Sequence, residues 1–156
     1  MDDQKVSLSI KSYQDNEDIR ILNSVLSKWL SNPKILHFTD PRIQYPFNIN
    51  NWISLSYNNQ NIQTYAIEID NWIIGHLSAK LNYKNNSAHL FHLVIDEAHR
   101  KKGYAKKLVT YVEKKLVTEN KINYITLNCV KKNAPAINLY KTLGYIIAKE
   151  KKNIKM

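Results

Sequence analysis

Cysteine is almost absent from this chain of 156 residues, since Cys129 is the only one. A single cysteine excludes an internal disulfide framework and a cluster of thiol ligands for a metal. Long apolar runs are also lacking, and none approaches the roughly 20 residues that are needed to cross a bilayer. Because residues 1–5 are polar rather than part of an apolar signal segment, we expect a cytoplasmic protein.

Acidic residues are scarce as well: 13 Asp and Glu oppose 23 Lys and Arg, which gives a formal net charge of +10. Such a charge suits a polyanionic partner such as nucleic acid. It equally suits a chain whose lysines simply coat the surface, and here the lysines are scattered over several segments. We favour the second interpretation and expect no nucleic-acid partner. A polyphosphate cofactor would be attracted by the same field.

The composition that remains is ordinary for a globular protein, with 44% apolar and 23% charged residues. At this length we expect one compact domain over residues 1–156. A strand is predicted from apolar alternation at residues 6–10, and further strands are predicted at residues 62–69, 72–81, 88–95, 124–130 and 145–148. Helices are predicted after Asp15, after Asn50, over residues 103–118 and after Asn133, with a helical turn near Ile35. Consecutive hairpins followed by a β-α-β crossover predict an α+β fold with one mixed, largely antiparallel sheet.

The helix predicted from Gly103 begins in a way that suits a phosphate group. Glycine lets a ligand approach the backbone closely, and the free N–H groups and dipole of a helix N-terminus attract anions. Positive charge surrounds this terminus, from Arg100, Lys101, Lys102, Lys106 and Lys107. The pattern predicts a ligand that carries phosphate.

Two segments of the chain resemble the signature segments of the GNAT superfamily of acyl-CoA-dependent N-acetyltransferases. They are Arg100-x-x-Gly103-x-Ala105 and Asn133-x-Pro135-Ala136-x-x-Leu139-Tyr140-x-x-Leu143-Gly144-Tyr145. The resemblance covers about residues 60 to 148. It implies a three-layer α/β/α fold with a parallel strand pair at the cofactor cleft. It also implies direct transfer of an acetyl group from acetyl-CoA to a primary amine in a ternary complex, with no metal.

The resemblance also implies roles for individual positions. The backbone of Leu93, Val94 and Ile95 would bind the pantetheine arm, and an N–H there, such as that of Val94, would polarise the thioester carbonyl. The pyrophosphate would be wrapped by the turn made of Arg100, Lys101, Lys102, Gly103, Tyr104, Ala105 and Lys106. Asn133 would contact the cofactor, and Tyr140 would protonate the departing sulfur. Ala105 stands where many members carry a third glycine, a change that a helix tolerates.

The general base is less well marked. Family members often carry a glutamate at positions that correspond here to His89 and Asn128, and an asparagine cannot act as a base. His89 could, since its ordinary pKa is near ~6.5; a water relay is an equal alternative, and Glu68 is a further candidate. Cys129 has no motif for carrying an acyl group and is expected to be a buried apolar residue.

The acceptor pocket of this family corresponds to residues 33–57 and the hairpins. Phe38, Tyr45, Trp52 and Trp72 could line it, although core packing explains them equally well. Asp40 is the only acidic residue between positions 33 and 57, which favours a peptide N-terminus or a small metabolite over a polycation. The competing class is a non-catalytic domain that binds acyl-CoA or nucleic acid. We expect a monomer or a homodimer.

Overall fold

A computed structural model describes residues 6–11, 16–57, 61–146, 149–150 and 153–155 of the chain. The strands are β1 (Val6–Lys11), β2 (Ile62–Ile69), β3 (Trp72–Asn82), β4 (Ser87–Ile95), β5 (Tyr124–Val130), β6 (Lys149–Glu150) and β7 (Asn153–Lys155). The helices are α1 (Asn16–Trp29), α2 (Pro33–Thr39), α3 (Ile49–Ser56), α4 (Tyr104–Glu119) and α5 (Ala134–Thr142). In the described part of the chain, no helix is both long and apolar enough to span a bilayer.

The strands form one mixed sheet in the order β1-β2-β3-β4-β5-β7-β6. Neighbours from β1 to β4 are antiparallel, and β4 and β5 are parallel. The α+β prediction with one parallel pair is therefore confirmed. The strand predicted at 145–148 is wrong at Tyr145 and Ile146, which are irregular, while positions 147 and 148 lie outside the described residues. Strand pairing with β5 comes instead from β7.

The turn between β2 and β3 consists of Asp70 and Asn71, as predicted. Both residues have positive φ, 51° and 69°. Two consecutive left-handed residues are what a tight hairpin turn of this kind requires, and Asp and Asn tolerate that conformation better than most residues.

Three helices precede the hairpins, where two helices and a turn were predicted. The helical turn near Ile35 is a complete helix, α2, because the side chain of Asn32 accepts from two N–H groups of its first turn. Helix α3 is capped by Asn48 rather than Asn50. Both positions are asparagine, so the sequence did not distinguish them. Asp15, the predicted cap of α1, lies outside the described residues.

Buried side chains form two separate clusters. The first joins the sheet to α4 and α5 through residues such as Leu108, Val112 and Tyr140. The second joins α1, α2 and α3 through Leu26, Leu30, Leu36 and Trp52, among others. Val94 belongs to the second cluster and its neighbour Ile95 to the first. Because consecutive strand residues point to opposite faces, the helices cover both faces of the sheet, which confirms the three-layer prediction.

Candidate active site

Strand β4 carries a bulge where it passes β3. The cross-strand pairs that flank the bulge are Ser78↔Phe91 and His76↔Val94. Two residues of β4, His92 and Leu93, therefore face the single residue Leu77 of β3. His92 takes the left-handed conformation, with φ of 57°, which costs a residue with a side chain about 1–3 kcal/mol. A bulge bends its strand and sharpens the local twist.

The parallel ladder between β4 and β5 ends just before this bulge. It runs from Ser87↔Tyr124 to Leu90↔Leu127. The next residues of β5, from Asn128 to Val130, pair with β7 on the opposite side. The second halves of β4 and β5 therefore separate, and a cleft opens between them.

A cavity of about 410 Å³ occupies this cleft. Its cofactor-side wall, as the resemblance would assign it, contains Leu93 of β4, residues 128–130 of β5, and Asn133, Ala136 and Tyr140 at α5. Its other wall contains residues 38–42, which span the end of α2 and the segment after it, and Leu55 and Ser56 of α3. We call the first wall the cofactor end and the second the acceptor end.

Tyr140 lies in the cofactor end, where α5 places it beside β5. Its side chain is buried, and its ring meets that of Tyr145 edge-on, with ring centroids 5.8 Å apart. Burial raises the pKa of the Tyr140 hydroxyl above its ordinary value, with a smaller contribution from Cys129. The hydroxyl is therefore protonated at neutral pH, which suits a proton donor.

Asn133 lines the same wall as the N-cap of α5. Its side-chain oxygen accepts a hydrogen bond from the N–H of Ala136, at 3.4 Å, and Pro135 lies in the first turn, where a missing N–H is tolerated. The predicted helix start is confirmed. The side-chain oxygen of Asn133 therefore caps the helix, and the residue as a whole lines the cavity.

The basic turn lies between β4 and α4. A short 3₁₀ turn at Glu97–His99 leads to Lys101 and Gly103, which both have positive φ, 62° and 84°. Helix α4 begins at Tyr104, one residue after the predicted start. The N–H groups of its first turn have no acceptor within the helix. No heavy atom lies within 4 Å of the position that a Cβ on Gly103 would take, so the space over this turn is open to a ligand.

The remaining predicted cofactor residues lie in three different environments. Lys101, Lys102 and Lys106 are exposed around the turn. Arg100 donates from Nε to the carbonyl of Ile95, at 3.0 Å, so this guanidinium is tied to the end of β4. The side chains of Val94 and Ile95 are buried in the two clusters, which leaves only their backbone to meet a ligand.

His89, the predicted base, lines the cavity. Its Nδ1 is 2.9 Å from Oγ1 of Thr126 on the neighbouring parallel strand. With Lys80 it also borders a second, open cavity of about 600 Å³. The alternative candidate Glu68 is buried on β2 and is not among the residues that line the first cavity.

A hydrogen-bonded network at the acceptor end was not predicted. Nε2 of His92 lies 2.7 Å from Oδ2 of Asp40, and its Nδ1 lies 3.1 Å from the hydroxyl of Tyr57. That hydroxyl is also 2.7 Å from Oγ of Ser78. Asp40 and His92 are 52 positions apart. The scarcity of acids near Asp40 and the histidines of β4 were visible in the sequence, but nothing local indicated that they meet.

Both members of the Asp40–His92 pair have perturbed acidities. Burial acts to raise the pKa of Asp40, but hydrogen bonds from His92 and Arg42 outweigh it and hold that pKa well below its ordinary value. Burial lowers the pKa of His92, against an opposing effect of Asp40. The favoured state at neutral pH is a carboxylate bound to a neutral imidazole. Arg42 binds the same carboxylate through Nε and Nη2, at 3.0 and 2.8 Å.

Of the four aromatic residues predicted to line the acceptor pocket, only Phe38 lines the cavity. Trp52 is fully buried in the second cluster. Tyr45 and Trp72 are 56% and 77% exposed and do not reach it. Cys129 is buried, as predicted, and burial raises the pKa of its thiol to about 11. Among the described residues, no group of three or more His, Cys, Asp or Glu side chains is arranged to hold a metal.

Solved structures of acetyltransferases share this architecture. The spermidine N-acetyltransferase of Vibrio cholerae, in complex with CoA and spermine, superposes with a TM-score of 0.74 at 16% identity, over 97% of this chain and 94% of that one. The ribosomal-protein-S18-alanine N-acetyltransferase of Escherichia coli gives a TM-score of 0.73 at 14% identity, over 97% and 92%. At these identities the likeness establishes the fold alone.

Sequence relatives agree with the fold. An uncharacterised N-acetyltransferase from the SPbeta prophage of Bacillus subtilis is 27% identical over 140 residues, which are 90% of this chain and 76% of that protein. The catalytic subunit of the N-terminal acetyltransferase A complex of Arabidopsis thaliana is 31% identical over 106 residues, 66% of this chain and 52% of that protein. The family model described as Acetyltransferase (GNAT) family matches residues 24–145. The chain therefore belongs to the GNAT acetyltransferase family and is an acyltransferase.

Proposed function

We propose that this protein transfers an acetyl group from acetyl-CoA directly to a primary amine, within a ternary complex of enzyme and both substrates. The observation that carries the proposal is the separation of β4 from β5 at the bulge, with Tyr140 among the residues that line the resulting cavity. The structural relative from Vibrio cholerae that was solved in complex with CoA supports acetyl-CoA as the donor.

The cleft fits the donor at three places. The edge of β4 at Leu93 to Ile95 can pair with the amide groups of a pantetheine arm as an added strand would. At the end of that strand, the first turn of α4 offers free N–H groups to a pyrophosphate. Gly103 keeps that approach open, and Lys101, Lys102 and Lys106 supply the charge.

Bound acetyl-CoA supplies an activated acetyl group. The backbone N–H groups at the bulge can then donate to the carbonyl oxygen of that group, an arrangement that stabilises developing negative charge. The Tyr140 hydroxyl, which is protonated at neutral pH, can donate its proton to the departing sulfur.

The acceptor amine must lose a proton before it can react. An amine with a pKa near ~10 is about one part in a thousand neutral at pH 7, a penalty of roughly 4 kcal/mol. His89 borders the cavity and could take that proton, directly or through water. We assign this step to His89 or to a water that it orders.

The acceptor end carries little negative charge. Asp40 is the only carboxylate among the described residues that line the cavity, and Arg42 already binds it with two nitrogens. A polyamine would find no free carboxylate here, so we propose a peptide N-terminus or a small metabolite as the acceptor. We further propose a cytoplasmic protein that is a monomer or a homodimer.

A binding and turnover experiment tests the proposal. We expect millimolar acetyl-CoA to raise the melting temperature, and a panel of amines, amino acids and short peptides to release free thiol from acetyl-CoA. An absence of any stabilisation by acetyl-CoA would contradict the proposal. Stabilisation by polynucleotides that weakens with salt, without thiol release, would instead favour a nucleic-acid-binding domain.

A further inference from the structure

The bulge of β4 is built on a histidine in a backbone conformation that favours glycine. His92 has φ of 57°, and left-handed residues with a side chain are uncommon unless their surroundings fix them. The main chain at this point is the part of β4 that faces the cleft. Whatever fixes His92 therefore fixes the strand edge at Leu93.

The His92 ring is held on both nitrogens and on one face. Asp40 Oδ2 lies 2.7 Å from Nε2, and the Tyr57 hydroxyl lies 3.1 Å from Nδ1. The indole of Trp52 stacks on the ring, with centroids 3.7 Å apart and planes at 24°. His92 itself is only 3% exposed. These contacts come from α2, α3 and the segment after each helix, so the acceptor end holds the ring.

The main chain of His92 is held as well. Nδ1 of His76, on β3, lies 2.8 Å from the carbonyl oxygen of His92. A carbonyl accepts only, so His76 Nδ1 carries a proton and donates it. That carbonyl belongs to the same peptide group as the N–H of Leu93. The His76 bond therefore fixes the direction in which the Leu93 N–H points.

Donor and acceptor roles follow along the network. The carboxylate of Asp40 accepts only, so His92 donates from Nε2 and keeps a lone pair on Nδ1. Tyr57 donates its single proton to that lone pair, which at 3.1 Å is nearer than the other available acceptor, Nε2 of His76, at 3.4 Å. The Tyr57 hydroxyl accepts a proton from Ser78, 2.7 Å away. Thr64, 3.1 Å from Ser78, can donate to it in turn. Every lone pair and proton of the His92 ring is thus committed within the protein, and none is free to take a proton from an amine.

We propose that Asp40 and His92 are positioning residues for acetyl transfer, which hold the bulge of β4 and orient the Leu93 peptide in the cleft. The inference rests on the proposed function only for its effect on turnover. Asp40 is the C-cap of α2 and also binds Arg42, so the pair connects the acceptor-end loop to the strand edge that would meet the thioester.

The test compares Asp40→Ala, which removes the acceptor of the His92 proton, with Asp40→Asn, whose carbonyl can still accept it. We expect Asp40→Ala to lower kcat by about 10- to 100-fold, because small misplacements at a reacting centre have effects of this size. The KM for acetyl-CoA should change by less than about three-fold, since the basic turn is untouched. Asp40→Asn should recover most of the lost kcat.

A matched control is Thr64→Val, which removes a hydroxyl at the far end of the same buried network but leaves Asp40 and His92 unchanged. Its kcat should stay within about two-fold of the unmodified protein.

A second measurement does not depend on enzyme activity. In the NMR spectrum of ¹⁵N-labelled protein without substrates, His92 should be the neutral tautomer protonated at Nε2. Asp40→Ala should shift both this signal and the amide resonance of Leu93, and Asp40→Asn should restore them.

Three results would overturn the inference. The first is an Asp40→Ala protein that melts earlier but keeps its kcat per folded molecule and its Leu93 resonance, which would make the pair merely structural. The second is an Asp40→Asn protein that is as slow as Asp40→Ala with a displaced acid limb of its pH–rate profile, which would make His92 a charged base. The third is a His92 ring protonated at Nδ1.

If Asp40→Ala fails to fold, Tyr57→Phe replaces it and the same resonances are measured. Signals that do not move in Tyr57→Phe count against the proposed role of the pair. Failure of the proposed function would appear separately, as no turnover in the unmodified protein while the resonances behave as described.

Discussion

The two ends of the cleft differ in whether main-chain or side-chain groups form them. At the cofactor end and the basic turn beyond it, most contacts to the donor would come from the main chain. These are a strand edge, a glycine with φ of 84° and the first turn of α4. The acceptor end consists of side chains that meet from distant parts of the chain, with Asp40 and His92 52 positions apart. Main-chain geometry follows from local residue order, whereas a side-chain network exists only in the folded molecule. The cofactor end should therefore respond to changes in backbone conformation, and the acceptor end to changes in hydrogen bonding and pH.

The largest effect is expected at Tyr140, the side chain of the cofactor end to which the proton transfer is assigned. Tyr140→Phe should lower kcat by about 10²- to 10³-fold, because it removes a general acid and little packing. The KM for acetyl-CoA should change little, and steady-state thiol release measures both. Tyr145→Phe is the matched control, because its ring lies beside Tyr140 while its hydroxyl is outside the cavity lining. Equal rates for the two variants would remove the acid role from Tyr140.

Low pH should destabilise the acceptor end before the rest of the molecule. Burial lowers the pKa of His76 to about 3, below the ordinary value near ~6.5, so between these values the unfolded chain binds the extra proton. The contribution of neutral His76 to the free energy of unfolding is fully present above about pH 6.5. Below that value it decreases by about 1.4 kcal/mol for each unit by which the pH is lowered. At pH 5 the loss reaches about 2 kcal/mol. His92 adds to it in the same direction, while Asp40, whose pKa is depressed, stays ionised in both states over this range.

Denaturant unfolding at pH 5, 6 and 7 measures the slope of the free energy of unfolding against pH. His76→Gln should flatten it, because glutamine does not titrate, although its amide can still donate to the His92 carbonyl. His37→Gln, at an exposed position of α2, is the matched control for the same replacement at a surface site. A slope that is the same in both variants would mean that the buried histidine is not the source of the acid sensitivity.

A smaller effect is expected from backbone strain at the basic turn. Gly103→Val forces a β-branched residue into positive φ, which costs roughly 1–2 kcal/mol, and places methyl groups where the donor phosphates would lie. The KM for acetyl-CoA should rise by about ten-fold, which corresponds to about 1.4 kcal/mol. Gly144→Val imposes the same strain, since Gly144 has φ of 95°, at a site away from the turn. It should lower the melting temperature and leave that KM unchanged; a similar KM for both variants would contradict the phosphate role.

The smallest effect on turnover is expected at Cys129. Cys129→Ala should keep kcat within about three-fold, because direct transfer requires no thiol acyl carrier. Since burial raises the pKa of this thiol to about 11, alkylation of the native protein at pH 8 should be about a hundred-fold slower than that of an ordinary cysteine. A radiolabelled acetyl group that stays on the chain and disappears in Cys129→Ala would indicate a covalent route instead.

The sequence predicted the parts of the fold that depend on neighbouring residues. The turn at Asp70 and Asn71, the cap at Asn133 and the helix after Gly103 each follow from residues within a few positions, and the structure contains all three. The histidine network could not be predicted, because it depends on a bulge that changes which side chains of β4 face α2 and α3. The strand predicted at 145–148 is wrong at Tyr145 and Ile146, because a run of apolar residues alone does not supply a partner for pairing.

The bulge of β4 also makes this strand intolerant of changes in length. Because the extra residue at His92 shifts the alternation, Val94 reaches the helices on one face and Ile95 those on the other. Deletion of a single residue here would exchange the two side chains between the clusters, and place Ile95 out of register with Gly75. A Cβ on that glycine would already lie 2.6 Å from Ile95 Cδ1, so the strands have no spare room for a shift. Homologous chains should therefore vary in residue type along residues 91–95, while the number of residues stays the same.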